Sequence, residues 1–279
     1  MRAVALNTEG QPELIDVAEP DGATLRVRAC GLCGSDVEKL GRAPAGTVLG
    51  HEVVAETVDG GRVALVHHLP CGECERCLAG HESTCEAFRA ATIVPGGFAE
   101  RVLARDWVEL PFGVDDARGT YAEPLACVLR GADRMPTGRV LVVGQGFVGR
   151  LFAEVLRRRG DTVFAVDPRP ERDGVAPDGP VHAAVLCAPA GVDHALAAVE
   201  PGGTLLVFAN AGTLPLDAVY RRELHVVGAR SATPRHLREA VALLPHLDLP
   251  APTVLPLARF REGLDRYRRA EVLKVVFTP

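Results

Sequence analysis

Four cysteines in one short segment give the clearest chemical signal in the sequence. They follow the spacing C-x2-C-x2-C-x7-C, with the members Cys71, Cys74, Cys77 and Cys85. Zinc binds four thiolates in a tetrahedron, and spacings this short supply them without closing a long loop. A disulfide framework is the alternative, but cysteines this close along the chain are poorly placed to pair, and disulfides are rare in reducing compartments. The segment therefore predicts a closed, structural zinc site with no catalytic role.

A zinc ribbon that binds nucleic acid is a second interpretation of the same cysteines. The segment carries acidic side chains, namely Glu73, Glu75, Glu82 and Glu86. These carboxylates would repel phosphate groups. The formal net charge of the chain is −5, so composition indicates no basic surface either. We therefore expect no nucleic-acid partner.

A second set of metal-ligating residue types lies upstream, where Cys30 and Cys33 are followed by Gly50-His51-Glu52. A catalytic zinc needs about three protein ligands and a free position for water or substrate. One thiolate, one imidazole and one carboxylate meet that need. Taken alone, Cys30 is equally a small core residue and His51 equally an ordinary turn histidine. At this point the residues leave both interpretations open.

An apolar run followed by spaced glycines indicates a dinucleotide-binding turn. The run 139–143 is typical of a buried parallel strand, and a helical pattern follows the glycines. A second run, 162–166, ends at Asp167, close to the ~20 residues expected between the last glycine and the acidic residue. Asp167 would accept hydrogen bonds from the adenosine ribose and repel a 2′-phosphate, which favours NAD over NADP. Arg169 and Arg172 follow closely along the chain, and their positive charges weaken this preference. The predicted cofactor residues here are Gly144, Gly146, Phe147, Val148, Gly149 and Asp167.

Together these segments resemble the zinc-dependent medium-chain dehydrogenases, the superfamily of alcohol, sorbitol (iditol) and threonine dehydrogenases. The resemblance covers nearly the whole chain. It implies that Cys33, rather than Cys30, and His51 bind catalytic zinc. In the polyol branch the third ligand is a glutamate, and two candidates match that role. They are Glu52, directly after the histidine, and Glu123 in Ala-Glu-Pro-Leu-Ala.

The resemblance also implies supporting roles. Asp36 would orient the histidine ligand, and Ser35 would carry the substrate's proton away. Lys274 matches a basic position that reaches the cofactor phosphates. Glu38 stands where many relatives have a histidine, and its carboxylate favours polyols or sugars, with a solvated surface position as the alternative.

Two histidines before the cysteine segment add to this pattern. His67 and His68 resemble the His-His/Val-Pro-Cys-Gly stretch of polyol dehydrogenases. One of them faces the substrate pocket on this interpretation, and a place in the core or at the rim is the alternative.

The order of the elements indicates the fold class, α/β plus β. Short alternating segments before residue 119 predict a small β-barrel, and by resemblance the C-terminal tail returns to it. We expect a GroES-like β-barrel catalytic domain of residues 1–118 and 250–279, with a doubly wound Rossmann domain of residues 119–249. Only about sixteen residues separate Asp167 from Ala183, too few for another helix and strand. The Rossmann domain is therefore expected to be shortened, with one edge strand and its helix missing.

Composition excludes several classes of protein. The chain has 279 residues, 47% apolar and 24% charged, which are the proportions of a globular protein rather than a disordered one. No apolar run reaches the roughly 18 residues of a membrane-spanning helix. The first residues lack the pattern of a secretory signal peptide. We therefore expect a cytoplasmic protein without a membrane partner.

These inferences converge on one expected activity. The chain would use two zinc ions, one catalytic and one structural, and transfer a hydride from a secondary hydroxyl of a polyol, sugar or cyclitol to NAD. The alternatives are a threonine-like amino-alcohol dehydrogenase and a non-catalytic, zinc-stabilised binding protein on the same scaffold. Relatives pair through edge strands of the nucleotide domain, which implies a homodimer or homotetramer with residues 224–230 as the candidate interface.

Overall fold

The computed structural model describes residues 1–167, 169, 172, 174–210 and 212–279. The strands of these residues are β1 (Arg2–Leu6), β2 (Pro12–Asp16), β3 (Leu25–Gly31), β4 (Glu52–Glu56), β5 (Arg62–Leu65), β6 (Ile93–Val94), β7 (Arg101–Ala104), β8 (Trp107–Glu109), β9 (Arg139–Val143), β10 (Thr162–Val166), β11 (Val181–Leu186), β12 (Val199–Val207), β13 (His225–Gly228), β14 (Thr253–Pro256) and β15 (Val275–Thr278). The α-helices are α1 (Gly34–Lys39), α2 (Glu75–Leu78), α3 (Asp116–Gly119), α4 (Ala122–Ala132), α5 (Phe147–Arg159), α6 (Val192–Ala198), α7 (Leu216–Arg221), α8 (Pro234–Leu243) and α9 (Phe260–Arg268). In the described parts of the chain, no helix combines the length and the apolar character needed to cross a membrane.

The chain divides into two compact units. The first comprises Met1–Ala126 and Ala232–Pro279, and the second comprises Cys127–Ser231. The expected nucleotide domain, residues 119–249, began earlier and ended later than the second unit does. Helix α8 belongs to the first unit, where it packs against β8. A helical pattern shows that α8 forms but not which sheet it covers.

The first unit contains a curled sheet, as the alternating segments predicted. The sheet runs in the order β14-β15-β3-β4-β5-β8, and β7 pairs with both β3 and β6. Strand β15 pairs antiparallel with β3, so the C-terminal tail lies in this unit. Its apolar core includes a cluster of three phenylalanine rings, in which Phe98 meets Phe260 and Phe277 edge to face at centroid distances of 4.8 and 5.7 Å. Aromatic rings prefer such offset or edge contacts, and each buries a large apolar area.

The second unit is an open parallel sheet in the order β10-β9-β11-β12-β13. A full Rossmann sheet has the order 3-2-1-4-5-6, so these strands correspond to positions 2, 1, 4, 5 and 6. Helix α5 packs on β9 and β10, and α6 packs on β11 and β12. The central strand β9 is buried from Val140 to Val143, which explains its unbroken apolar run. The third strand of the full sheet is the one expected to be missing.

The described residues between β10 and β11 form neither a strand nor an α-helix. The backbone N–H of Ala165 donates to the carbonyl oxygen of Val175 at 2.9 Å, so the returning chain satisfies one donor at the outer edge of β10. The prediction of a shortened connection falls partly on Pro168, Pro170, Glu171 and Asp173, which lie outside the described residues. Among the described residues, no strand pairs with the outer edge of β10, so their parallel sheet has five strands.

Candidate functional site

Three potential zinc ligands meet in the first unit. Cys33 precedes α1, His51 precedes β4, and Glu52 is the first residue of β4. One ligand atom of each lies within 4.8 Å of the other two. The antiparallel pairing of β3 with β4 places Gly31 opposite Glu52 and so brings the two chain segments together. A thiolate, an imidazole and a carboxylate at this spacing suit zinc with a fourth position left for water or substrate.

The turn before His51 depends on a glycine. Gly50 has a φ of +95°, in the left-handed region. A β-carbon there would lie 2.8 Å from Sγ of Cys30 and 2.9 Å from the backbone nitrogen of Phe98. Glycine meets both constraints because it has no β-carbon. The buried thiol of Cys30 therefore packs behind the turn, whereas Cys33 belongs to the ligand group.

Asp36 ties this turn to the ligand histidine. Its side chain is buried, and one carboxylate oxygen accepts the N–H of Cys33 at 3.2 Å. The other oxygen accepts the N–H of Gly50 at 3.2 Å and lies 3.3 Å from Nδ1 of His51. A carboxylate on one ring nitrogen fixes the orientation of an imidazole and leaves the other nitrogen for a metal.

Burial and charge act in opposite directions on this pair. Burial would by itself raise the pKa of Asp36, but the charge and hydrogen bond of His51 hold it below its usual value. Burial would likewise lower the pKa of His51, but the charge and hydrogen bond of Asp36, followed by Cys33, raise it well above its usual value. Without a metal, His51 therefore keeps its proton to a higher pH, and that proton competes with a metal for the ring.

Replacing Asp36 by asparagine should weaken zinc binding and shift its pH dependence. In the wild type, zinc affinity falls as the pH falls below the raised pKa of His51. The variant lacks the charge that raises this pKa, so its loss of affinity should move to lower pH. Where the ring is neutral in both proteins, we expect about 10–100-fold weaker binding in the variant. Competition with a chelator from about pH 5.5 to about pH 9 measures both effects; parallel pH profiles would contradict the assignment.

Glu52 is paired with a lysine to which the family resemblance gave another role. Lys274 is 4% exposed, and its Nζ donates to the carboxylate of Glu52 and, at 3.1 Å, to the carbonyl oxygen of Leu32. Burial would lower the pKa of Lys274, but the charge of Glu52 raises it, so the ammonium persists. The structure thus places Lys274 at Glu52, and its contact with the cofactor phosphates stays a prediction. A carboxylate can accept several bonds, so Glu52 retains capacity for a metal.

Replacing Lys274 by methionine should strongly destabilise the fold. The carboxylate of Glu52, 1% exposed, would lose its counter-charge, and breaking a buried ion pair from one side costs about 3–5 kcal/mol. Adding Glu52→Gln should recover part of the lost stability, because neither member of the former ion pair then carries a charge. Urea denaturation measures the free energies of unfolding.

The exposed Lys39 offers a matched control for this measurement. Lys39→Met should stay within about 0.5 kcal/mol of the wild type. If Lys274→Met proved as stable as this control, the ion pair would have no structural role.

The second glutamate candidate lies elsewhere in the same unit. Glu123, on α4, lines a small cavity with His67, His68 and Thr233. The ligand group that the described residues form contains Glu52 and not Glu123. The structure therefore brings Glu52 to the cysteine and histidine.

His67 and His68 follow β5 and are half-buried. The ring of His67 stacks on that of His51, with centroids 4.5 Å apart. Burial, and then the charges of His51 and His68, hold the pKa of His67 well below its usual value. His67 is therefore neutral at physiological pH. The sequence singled out both histidines but could not show this stacking.

The two substrate-side candidates lie on α1, and both are exposed. Ser35 is in its first turn and Glu38 near its end. The hydroxyl of Ser35 can therefore exchange a proton with water. Glu38 has the solvent access of a surface carboxylate, which was the alternative interpretation from the sequence.

The four-cysteine segment folds around its own sulfur atoms; we call residues 71–89 the cysteine lobe. Sγ of Cys71 lies 3.9 Å from that of Cys77 and 3.6 Å from that of Cys85, and all four sulfurs lie within 4.8 Å of one another. Tetrahedral zinc with Zn–S bonds of about 2.3 Å separates its sulfurs by about 3.8 Å, whereas a disulfide needs about 2.05 Å. The lobe thus fits a structural zinc.

The glycine turn of the second unit links β9 to α5. Asp167 follows β10, and its carboxylate accepts the N–H of Gln145 at 2.6 Å and that of Arg169 at 2.8 Å. Gly146 is the residue before the helix. The acidic residue and the turn are therefore adjacent, as they are in dinucleotide-binding folds.

Close packing inside this turn explains its last glycine. A β-carbon on Gly149 would lie 1.7 Å from the carbonyl oxygen of Gly144. Phe147 is buried and Val148 half-buried at the start of α5. The first turn of the helix thus lies tightly against the end of β9, where backbone N–H groups can bind a pyrophosphate.

Comparison with known proteins identifies the class. Residues 19–112 match the family described as alcohol dehydrogenase GroES-like domain. The D-altritol 5-dehydrogenase of Agrobacterium fabrum is 30% identical over 88% of this chain and 88% of its own. The sorbitol dehydrogenase of Halalkalibacterium halodurans is 26% identical over 91% of each chain. A thermostable alcohol dehydrogenase from Pyrobaculum aerophilum, 23% identical, shares the fold with a TM-score of 0.85 over 100% of this chain and 99% of its own.

A GroES-like unit with two zinc-ligand groups and a Rossmann-type parallel sheet define a zinc-binding oxidoreductase. The chain belongs to the zinc-dependent medium-chain dehydrogenase family. The fold class expected from the sequence is confirmed, and the parallel sheet that the described residues form has five strands.

Proposed function

We propose that this protein oxidises a secondary hydroxyl of a polyol, sugar or cyclitol to a ketone and transfers the hydride to NAD. The observation that carries the proposal is the ligand group of Cys33, His51 and Glu52, with Asp36 buried behind the histidine. The substrate class rests on the relatives, which include an altritol and a sorbitol dehydrogenase. In this proposal the first unit is catalytic and the second binds the cofactor.

Residues of the first unit would act on the substrate hydroxyl in three roles: metal binding, proton transfer and substrate binding. Cys33, His51 and Glu52 would hold a catalytic zinc ion, which as a Lewis acid lowers the pKa of a substrate hydroxyl. Ser35 would accept the hydroxyl proton at its Oγ and pass it to water, because it lies at the surface. Glu38 would accept hydrogen bonds from further hydroxyl groups of a polyol.

The second unit would bind the cofactor through the turn from Gly144 to Gly149. The N–H groups at the start of α5 would bind the pyrophosphate. Asp167 would accept hydrogen bonds from the adenosine ribose hydroxyls, and its charge opposes the 2′-phosphate of NADP. We expect NADH to bind about tenfold or more tightly than NADPH, measured by nucleotide fluorescence titration. Equal affinities for NADH and NADPH would show that Asp167 does not select against the 2′-phosphate.

The activity is tested by NADH formation with a panel of polyols and sugars, together with the zinc content of the protein. Oxidation of a polyol or sugar by a protein with about two zinc ions per chain supports the proposal. Oxidation of threonine-like amino alcohols alone would overturn the substrate class. About one zinc ion per chain, with no oxidation of any compound, would instead indicate the non-catalytic alternative.

Assembly and location complete the proposal. Strand β13 is an edge strand of the parallel sheet, with its residues half-buried or exposed and Val226 41% exposed. An uncovered apolar edge strand can pair with a second copy, so we propose a homodimer or homotetramer formed through residues 224–230. Light scattering behind a sizing column measures this. The cysteine lobe needs reduced thiols, which supports the cytoplasm as its location.

A further inference from the structure

Four aromatic rings form a continuous column in the first unit. Its members in order are His51, His67, His68 and Phe88. The centroid distances along the column are 4.5, 3.8 and 4.2 Å, and the interplanar angles are 26°, 40° and 18°. The His51–His67 and His68–Phe88 pairs are stacked, and the His67 and His68 rings are in contact with their planes tilted against each other.

The two ends of the column belong to the two zinc-ligand groups. His51 is a member of the catalytic ligand group with Cys33 and Glu52. Phe88 lies in the short 3₁₀ helix Glu86–Arg89, directly after Cys85, and is 3% exposed. The column therefore connects the cysteine lobe to the catalytic ligands.

Hydrogen bonds hold the middle of the column. Nδ1 of His68 lies 2.9 Å from the carbonyl oxygen of Phe88, so the ring is tied to the lobe as well as stacked on it. The hydroxyl of Thr92 donates to the carbonyl oxygens of Val66 and His67 and fixes the backbone that carries both histidines. The backbone at His67 and one ring nitrogen of His68 are therefore held, which limits the tilt of the His68 ring.

Asp36 leaves one motion of the ligand histidine unrestrained. It lies 3.3 Å from one nitrogen of His51 and restrains the ring at that edge. A ring held at one edge can still tilt about it. His67 packs on the face of His51 and opposes this tilt, which a bond at the edge cannot do.

We propose that His67 and His68 are positioning residues that hold the face of the His51 imidazole, and that the cysteine lobe supports the catalytic metal site through Phe88 and this column. The inference rests on the proposed function, because it assumes that His51 binds the catalytic zinc.

The test replaces aromatic rings of the column and measures how firmly a metal ion is held at Cys33. Cobalt(II) is introduced at the catalytic site, and its absorption bands, including charge transfer from the Cys33 thiolate, report geometry and occupancy. The rate at which these bands disappear in excess chelator gives metal release, and zinc analysis confirms that the lobe keeps its metal. His68→Leu removes the ring, whereas His68→Phe keeps it. His81→Leu, at an exposed histidine of the lobe outside the column, is the matched control.

We expect His68→Leu to release cobalt about tenfold faster and to shift its visible bands, since losing the support of a ligating histidine commonly costs 10–100-fold in metal affinity. His68→Phe and His81→Leu should stay near the wild-type rate and spectrum. Phe88→Leu, at the far end of the column, should have the same effect as His68→Leu. Circular dichroism shows whether each variant folds, and Phe88→Leu serves as the test variant if His68→Leu does not fold.

Two results would overturn the inference. One is a wild-type rate and spectrum in folded His68→Leu or Phe88→Leu. The other is a His68→Phe variant as impaired as His68→Leu, which would assign the effect to the hydrogen bond with Phe88 and not to the rings. A wild-type protein with about one zinc ion per chain would instead overturn the proposed function, and this inference with it.

Discussion

Replacing Cys33 by alanine should abolish turnover while leaving the fold and the cysteine lobe intact. In the proposed function Cys33 would supply a thiolate to the catalytic zinc. It is half-buried, so its loss would leave His51 and Glu52 as ligands without creating a large cavity. A Lewis-acid metal contributes several kcal/mol to such a reaction, and each 1.36 kcal/mol is a factor of ten in rate. We expect kcat/KM to fall by about 10³-fold or more, and the zinc content to fall from about two ions to about one.

Cys30 provides a matched control on the same chain segment. It is 1% exposed and its Sγ packs behind the turn at Gly50, outside the ligand group. Cys30→Ala removes a core sulfur, so it should lower stability by about 1 kcal/mol while retaining both zinc ions and most activity. NADH binding should be unchanged in both variants. A Cys33→Ala protein with full activity, or a Cys30→Ala protein that loses zinc instead, would reverse the assignment of the ligand.

The elements that the sequence predicted well are those with a strong local signal. Strands β9 and β10 occupy the predicted ranges. The signal was strongest for β9, because a strand buried on both faces reads as an unbroken apolar run. Helix α5 follows β9 and the first glycines of the turn, as the helical pattern after that apolar run indicated. The zinc-ligand pattern of the cysteine lobe was equally clear, because its four cysteines are close along the chain and can be recognised without knowing the fold.

The features that the sequence did not predict are contacts between distant segments. Lys274 and Glu52 are 222 residues apart and form a buried ion pair. The signal for it was a single lysine beside the apolar residues that form β15, a position where an unpaired charge would be costly. The closeness of Glu52 to Cys33 and His51 likewise depends on the pairing of β3 with β4, and the motifs alone suited Glu123 equally well.

The boundaries of the two units also depend on contacts between distant segments, which the sequence does not show. Helix α8 lies within residues 119–249, the range expected for the nucleotide domain. A helix buries its apolar side against whichever sheet the chain presents, and periodicity does not identify that sheet. The structure places α8 against β8, in the unit that carries the ligand groups.

Alanine at Gly149 should abolish dinucleotide binding. The new β-carbon would lie 1.7 Å from the carbonyl oxygen of Gly144, a backbone atom that cannot turn away as a side chain would. The first turn of α5 must therefore move away from β9, and its N–H groups lose their place at the pyrophosphate. Losing two hydrogen bonds to the charged pyrophosphate, at about 1.5 kcal/mol or more each, should lower NADH affinity by about 100-fold or more. Fluorescence titration of NADH measures the effect.

A second glycine of the same unit separates a local clash from a general loss of flexibility. A β-carbon on Gly179 would meet no atom of the described residues within 4 Å, and its φ is not left-handed, so Gly179→Ala should bind NADH within about twofold of the wild type. The zinc content of both variants should be unchanged, because all seven candidate ligands lie in the first unit. Loss of zinc along with NADH in Gly149→Ala would indicate general unfolding. Normal NADH affinity in that variant would show that the pyrophosphate binds elsewhere, and the cofactor assignment would then fall independently of the metal site.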